Sequence, residues 1–157
     1  MVQLQLRLNA AAIIQRPDGK ILICERNDVP GAWQFPQGGV DAGESAKETV
    51  QREVWEEIGV PQEAYTVARS DGPFIYHFPN REMKRGYHGQ SQTCFLLKTH
   101  ADELPIMLET ETPEFSSARW IYPEEFLLEW VPEFKQEVFQ EIFRRFFSVE
   151  LKNAKNG

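Results

Sequence analysis

A chain of 157 residues, 41% hydrophobic and 26% charged, has the length and mixture of one folded domain and excludes a disordered or collagen-like protein. Seventeen Lys plus Arg against twenty-four Asp plus Glu leave a formal charge of −7, which excludes a general nucleic-acid coat protein but allows local cations or bound metal to reverse the sign at one site. No run of about 18 apolar residues and no apolar signal core is present, and Cys24 and Cys94 each sit in an apolar segment, so the expectation is no membrane span, no secretion and a reducing cytoplasm.

Leu4, Leu6 and Leu8 alternate with polar neighbours and Ala10 to Ile14 run apolar, which predicts strand. Pro17-Asp18-Gly19 is turn chemistry, and Lys20 to Glu25 resumes as strand, so 10–26 reads as a hairpin. Pro30-Gly31 and Pro36-Gln37-Gly38-Gly39 punctuate the next stretch of chain. Residues 44–59 predict a helix ended by Gly59, with Pro61 beyond. Further strands are expected at Tyr65–Arg69, Pro73–Phe78, Thr93–Thr99 and Ala118–Tyr122, with Pro79-Asn80 as a turn. A last helix runs from about Glu133 to Val149, with Phe134, Val138, Ile142 and Phe146 in one apolar row and Phe139, Phe143 and Phe147 in the next. Residues 152–157 read as a disordered tail, leaving one domain over 1–151. Strands interleaved with two principal helices predict an α/β or α+β domain, a mixed sheet covered by helices.

The chemistry is concentrated in GGVDAGESAKETVQREVWEEIGV, residues 38–60. On a helix, Glu53, Glu56 and Glu57 stand at i, i+3 and i+4, with Cβ atoms roughly 5 to 6 Å apart on one face. Like charges so placed repel, and a bound divalent cation removes the cost. Ala46, Val50, Val54 and Ile58 form an apolar stripe beside them, which puts the carboxylates at the edge of a packed interface. Oxygen ligands without clustered His or Cys suit Mg²⁺ or Mn²⁺ rather than Zn²⁺. Taken alone, the three glutamates could equally be a solvated helix face.

The whole segment resembles the signature of the Nudix hydrolases, G-x5-E-x7-R-E-U-x-E-E-x-G-U with U aliphatic. The matching residues are Gly38, Glu44, Arg52-Glu53-Val54, Glu56-Glu57 and Gly59-Val60. At background frequencies, a chance match in a given register is on the order of 10⁻⁹. The resemblance implies a Nudix fold, an α/β/α sandwich around a mixed sheet with a catalytic loop-helix-loop, and hydrolysis of phosphoanhydrides with two or more Mg²⁺ or Mn²⁺ ions. It also implies that Glu53, Glu56 and Glu57 bind metal with the Gly38 carbonyl and that Arg52 orients them. Gly39 and Gly59 would support the box. Glu44 would support the loop or an outer metal, or simply be a favourable acid in the first helical turn.

Beyond the box, Trp33-Gln34-Phe35-Pro36-Gln37-Gly38-Gly39, Tyr76 with Phe78-Pro79, Gly89-Gln90-Ser91-Gln92, Thr112-Pro113-Glu114-Phe115, Trp120 and Phe134-Lys135 are similar to the bacterial RNA pyrophosphohydrolases and their dinucleoside polyphosphate hydrolase relatives. This resemblance implies substrate contacts at Arg7, Arg26, Gln37, Tyr76, Gln92, Phe134 and Lys135. Glu114 would complete the metal site or act as general base, the alternative being a surface loop acid; Phe134 would stack on a base or begin the apolar row. Arg81, Lys84, Arg85 and His88 make 77–90 locally basic, as a phosphate mouth would be. His77 and Tyr87-His88 depart from the subgroup's pattern. The implied substrate is 5′-triphosphorylated RNA or, alternatively, a dinucleoside polyphosphate; nucleoside triphosphate or ADP-ribose hydrolysis and a non-catalytic nucleotide-binding module are the other readings. Nothing in the sequence sets the oligomeric state.

Overall fold

The structure is a computed structural model that describes residues 5–79 and 83–153. Its elements run β1 (Leu6–Gln15), β2 (Ile21–Arg26), β3 (Trp33–Gln34), β4 (Gln37–Gly39), α1 (Ala46–Ile58), β5 (Tyr65–His77), β6 (Gly89–Thr99), β7 (Phe115–Ile121) and α2 (Glu133–Phe147), with 3₁₀ turns at Gln62–Ala64, Pro123–Glu125 and Leu128–Trp130. Leu4, Asn80, Arg81 and residues 154–157, on which parts of the first strand, the turn, the basic segment and the tail were expected, lie outside the described residues.

Strand β1 is central because residues 9–14 are all buried, leaving no face for water. It pairs in parallel with β6 from Leu6↔Gly89 to Gln15↔Lys98. Its other edge is shared: Asn9 to Ala11 pair with β4, and Gln15 pairs with Ile21 at the hairpin. Strand β2 pairs with β3 and β7, and β5 runs antiparallel on β6.

Period-two alternation sorts the strands between two layers. Ala10, Ala12, Ile14, Leu22 and Cys24 meet Val50, Val54 and Ile58 of α1 on one face. Ala11, Ile13, Ile21 and Ile23 join Val138, Phe139, Ile142 and Phe143 of α2 on the other. The second layer is aromatic, with Phe35 stacked on Phe139 at 5.8 Å and Phe126 on Phe139 at 5.4 Å between ring centres. This is the expected α/β/α arrangement.

Helix α1 begins at a capping box, in which Ser45 Oγ accepts from the Glu48 N–H and the Glu48 carboxylate accepts from the Ser45 N–H. It ends at Gly59 in the left-handed region, φ 69°. Ser45→Ala should lower unfolding free energy by about 1 kcal/mol in urea titration; no change would mean the box adds nothing to this helix.

Several expectations shift. The strands expected at 65–69 and 73–78 are one strand, because bulges between Val67 and Arg69 and between Asp71 and Phe74 absorb the Gly72-Pro73 interruption. Strand β6 starts at Gly89 and β7 at Phe115, each earlier than its apolar run, since ladder bonds continue through polar residues. Helix α2 stops at Phe147, with Ser148 left-handed at φ 54°. Lys152, expected to begin a disordered tail, pairs with Leu127, and its carbonyl accepts from Leu128 N at 3.1 Å. Among the described residues no helix is long and apolar enough to cross a membrane.

Candidate functional site

The chain from β4 into α1 builds the acidic part of the site. Val50, Val54 and Ile58 pin α1 to the sheet, and Glu53 and Glu57, three residues on from Val50 and Val54, are carried to the sheet margin beside β4. The Gln37 N–H donates to Glu57 Oε1 at 2.9 Å, and Glu57 is only 6% exposed. A side chain on Gly38 would collide with the Glu53 carboxylate and have to displace it.

Glu53 and Glu57 share a hydrogen bond; burial and then the charge of Glu53 push Glu57 up to about 10, and burial, with Glu56 beside it, pushes Glu53 up although the bond with Glu57 and Arg52 oppose this. Without a cation the pair therefore retains a proton at neutral pH. Arg52 balances the surrounding charge: Nε and Nη2 donate to Glu44 at 2.9 Å, Nη1 donates to Glu53 at 2.8 Å and to Glu56 at 3.2 Å, and Nη2 reaches the Gly39 carbonyl at 3.3 Å. Glu44 lies before the Ser45 cap rather than in the first helical turn. Bonds from Arg52 and Thr49 hold its carboxyl down at about 2. It anchors Arg52.

Among the described residues no three acids, histidines or cysteines stand together as a ready-made ligand group. Glu56, 53% exposed along its side chain, is drawn to Arg52, and Glu114 faces Glu57 across the site closely enough to raise its pKa. Glu53, Glu56, Glu57 and Glu114 nevertheless line one depression, together with Glu109 and Glu111. Hard oxygen donors around a buried, repelling pair are a chemistry that a divalent cation fits.

Glu53, Glu57 and Glu114 also line a cavity of about 370 Å³. Basic and aromatic residues share its lining, with Arg7, Arg26, Lys84, Arg85 and Lys135 among Tyr76, Phe78, Tyr87 and Phe134. Lys135 Nζ sits 5.4 Å from the Tyr76 ring centre and 5.8 Å from that of Phe134. Burial, with Arg26 and Lys84 nearby, pushes its pKa down to about 8. Phe134 is half-buried, packing on Tyr76 at 5.9 Å and on Phe78 at 6.2 Å while presenting a face to the cavity. Arg7 lies over Gly39, where a Cβ would strike the guanidinium.

Of the residues singled out from sequence, Arg7, Arg26, Gln37, Gly38, Gly39, Glu53, Glu57, Tyr76, Glu114, Phe134 and Lys135 line this cavity. Arg52, Glu44 and Gly59 lie outside it and act on its shape through α1. Gln92, expected to touch substrate, instead lies beneath the floor, 4% exposed, because it pairs with Asn9 inside the sheet. Asn9, Gln34, Phe78, Tyr87, Gln90, Glu109 and Glu111 were not singled out as site residues. The signal for Asn9 was a polar residue beside an apolar strand run; for Glu109 and Glu111 it was their spacing just before Glu114.

Residues 5–142 match the NUDIX domain model. The RNA pyrophosphohydrolase of Helicobacter pylori (strain G27) is 40% identical over 153 residues, covering 93% of this chain and 96% of that one. The RNA pyrophosphohydrolase of a Nitratiruptor species is 37% identical over 152 residues, with the same two coverages, 93% and 96%. Among solved structures, a C. elegans Ap4A hydrolase in a binary complex gives a TM-score of 0.65 at 19% identity over 91% of this chain and 98% of that chain. The MutT protein of Methanosarcina mazei Go1 gives 0.61 at 22% identity, covering 92% and 98%. At those identities the structural likeness is one of fold.

Proposed function

The chain belongs to the Nudix family, and from that premise we propose that it is a metal-dependent hydrolase of the 5′-triphosphate end of RNA, leaving a 5′-monophosphate and releasing pyrophosphate or successive phosphates. The observation that carries this reading is the mixed lining of one cavity, in which the carboxylates of Glu53, Glu57 and Glu114 stand with the cations Arg7, Arg26 and Lys135 and with aromatic rings. Similarity to RNA pyrophosphohydrolases over nearly the full length supports it.

Glu53, Glu56, Glu57 and Glu114, with the Gly38 carbonyl, would hold two or more Mg²⁺ or Mn²⁺ ions. Bound there, such ions neutralise phosphate charge and make a water nucleophilic near pH 7. Arg52 fixes the directions of Glu53 and Glu56. Glu114, which lines the same cavity, would complete the metal site or act as general base towards an attacking water. Arg7, Arg26 and Lys135 supply charge for the phosphate chain, and guanidinium groups match phosphate oxygens in pairs. Phe134 would offer a ring face to one of the first bases, and Tyr76, 5% exposed, packs against Phe134. The cytoplasm expected from the cysteine pattern suits such a substrate.

Phe134→Ala tests the RNA part of the reading. Loss of a stacked base costs roughly 1 to 3 kcal/mol, so kcat/KM for triphosphorylated RNA should fall about 5- to 150-fold, and that for a free nucleoside triphosphate by clearly less. Equal losses on both substrates would make Phe134 a packing residue and remove this support.

A further inference from the structure

Three amide side chains from β1, β4 and β6 form a hydrogen-bonded chain that runs from the cavity lining, where Asn9 and Gln37 stand, to the buried Gln92. Gln92 Nε2 donates one hydrogen to Asn9 Oδ1 at 2.8 Å and the other to Gln37 Oε1 at 2.7 Å. Its Oε1 accepts from Cys94 Sγ at 3.6 Å. Burial keeps Cys94 a thiol, so it has a hydrogen for the Gln92 oxygen. Asn9 is 3% exposed. The carbonyl of Gln37 is thus turned down into the sheet, and its amide hydrogens are left for the cavity, which Gln37 lines.

Burying such groups costs desolvation and returns no apolar contact. What a fully bonded network confers is orientation. The direction matters here, because an inverted Gln37 would set its oxygen against phosphate oxygens, acceptor to acceptor. The same Gln37 holds Glu57 through its backbone N–H, so its side chain is anchored next to that carboxylate.

We propose that Gln92, braced by Asn9, is a positioning residue that turns the Gln37 side-chain amide so that its N–H donors meet the phosphate chain of a bound polyphosphate. The proposal deepens the phosphoanhydride-hydrolase reading and rests on it. Gln92 acts on substrate binding through Gln37, while the backbone bond from Gln37 to Glu57 is untouched, so the effect falls on KM rather than kcat.

Two measurements test it. Gln92→Met keeps the side-chain length and removes both donors; it should raise KM for triphosphorylated RNA about tenfold, the weight of one hydrogen bond to a charged group, and change kcat less than about threefold. In a Gln37→Ala background the same substitution should change KM less than about twofold. An equal rise in both backgrounds, or a loss confined to kcat, overturns the proposal. The second needs no variant: in Mg²⁺-loaded protein, saturating inorganic tripolyphosphate should shift the side-chain amide resonances of Gln37 and leave those of Gln92 nearly still. A Gln92 shift as large as that of Gln37, or no shift at Gln37, overturns it. Failure of RNA to be cleaved would sink the RNA reading alone, since tripolyphosphate still reports on Gln37 and Gln92.

Discussion

Glu57→Gln abolishes hydrolysis, with kcat/KM falling at least about a thousandfold when Mg²⁺ is restored after EDTA, and leaves the metal-free protein as stable as its parent or more so. Both effects come from one buried carboxyl. Glu57 is 6% exposed and repelled by Glu53, so removing its charge destroys a metal donor and relieves a cost of folding. Linkage gives the pH dependence its sign. The folded pKa of Glu57 lies above the unfolded value of about 4.3, so its contribution is fully present below that value and is lost as pH rises towards the folded one. The metal-free parent should therefore lose stability between about pH 5 and pH 8, and the variant should lose less. Thermal melts at both pH values in EDTA measure the gap, which should widen with pH. Near-parental turnover, or a gap that narrows, contradicts the account.

Gly38→Ala and Gly39→Ala separate the part played by the Glu53 carboxylate from that played by the Arg7 guanidinium, although the glycines are neighbours. A Cβ at Gly38 meets the Glu53 carboxylate, whereas one at Gly39 meets the Arg7 guanidinium. Neither glycine has positive φ, so the backbone accepts alanine and the cost falls on the displaced group. Moving a metal-binding carboxylate by about 1 Å should lower kcat about a hundredfold. Moving Arg7 should chiefly raise KM, by about tenfold. Steady-state kinetics on samples matched by circular dichroism decide it; the same kinetic change from both substitutions would mean that the carboxylate and the guanidinium are not separately held.

The acidic cluster was legible because its information is local. Val50, Val54 and Ile58 set the helix face, and Glu53, Glu56 and Glu57 are placed by spacing within one turn. Arg52 was legible as an orienting residue, but its hold on Glu44, eight residues back and ahead of the cap, depends on how the loop from Val40 to Ser45 folds. The basic and aromatic lining was harder, since Arg7, Arg26, Tyr76, Lys84 and Lys135 come from distant parts of the chain and meet only through the sheet order. Strands β3 and β4 are two and three residues long, too short for a period to show. Gln92 shows the limit most clearly: its motif pointed towards substrate, and only the Asn9↔Gln92 register turns it beneath the floor.

The central claim, that the cavity is shaped for a triphosphate carried on RNA, is tested most directly by kcat/KM for 5′-triphosphorylated RNA, diadenosine tetraphosphate, ATP and ADP-ribose, compared side by side with Mg²⁺ and with Mn²⁺. The account predicts that RNA leads each of the others by about tenfold or more, a difference of about 1.4 kcal/mol in transition-state stabilisation, and that the product RNA carries a 5′-monophosphate. A tenfold preference for diadenosine tetraphosphate over RNA would contradict it and make the chain a dinucleoside polyphosphate hydrolase.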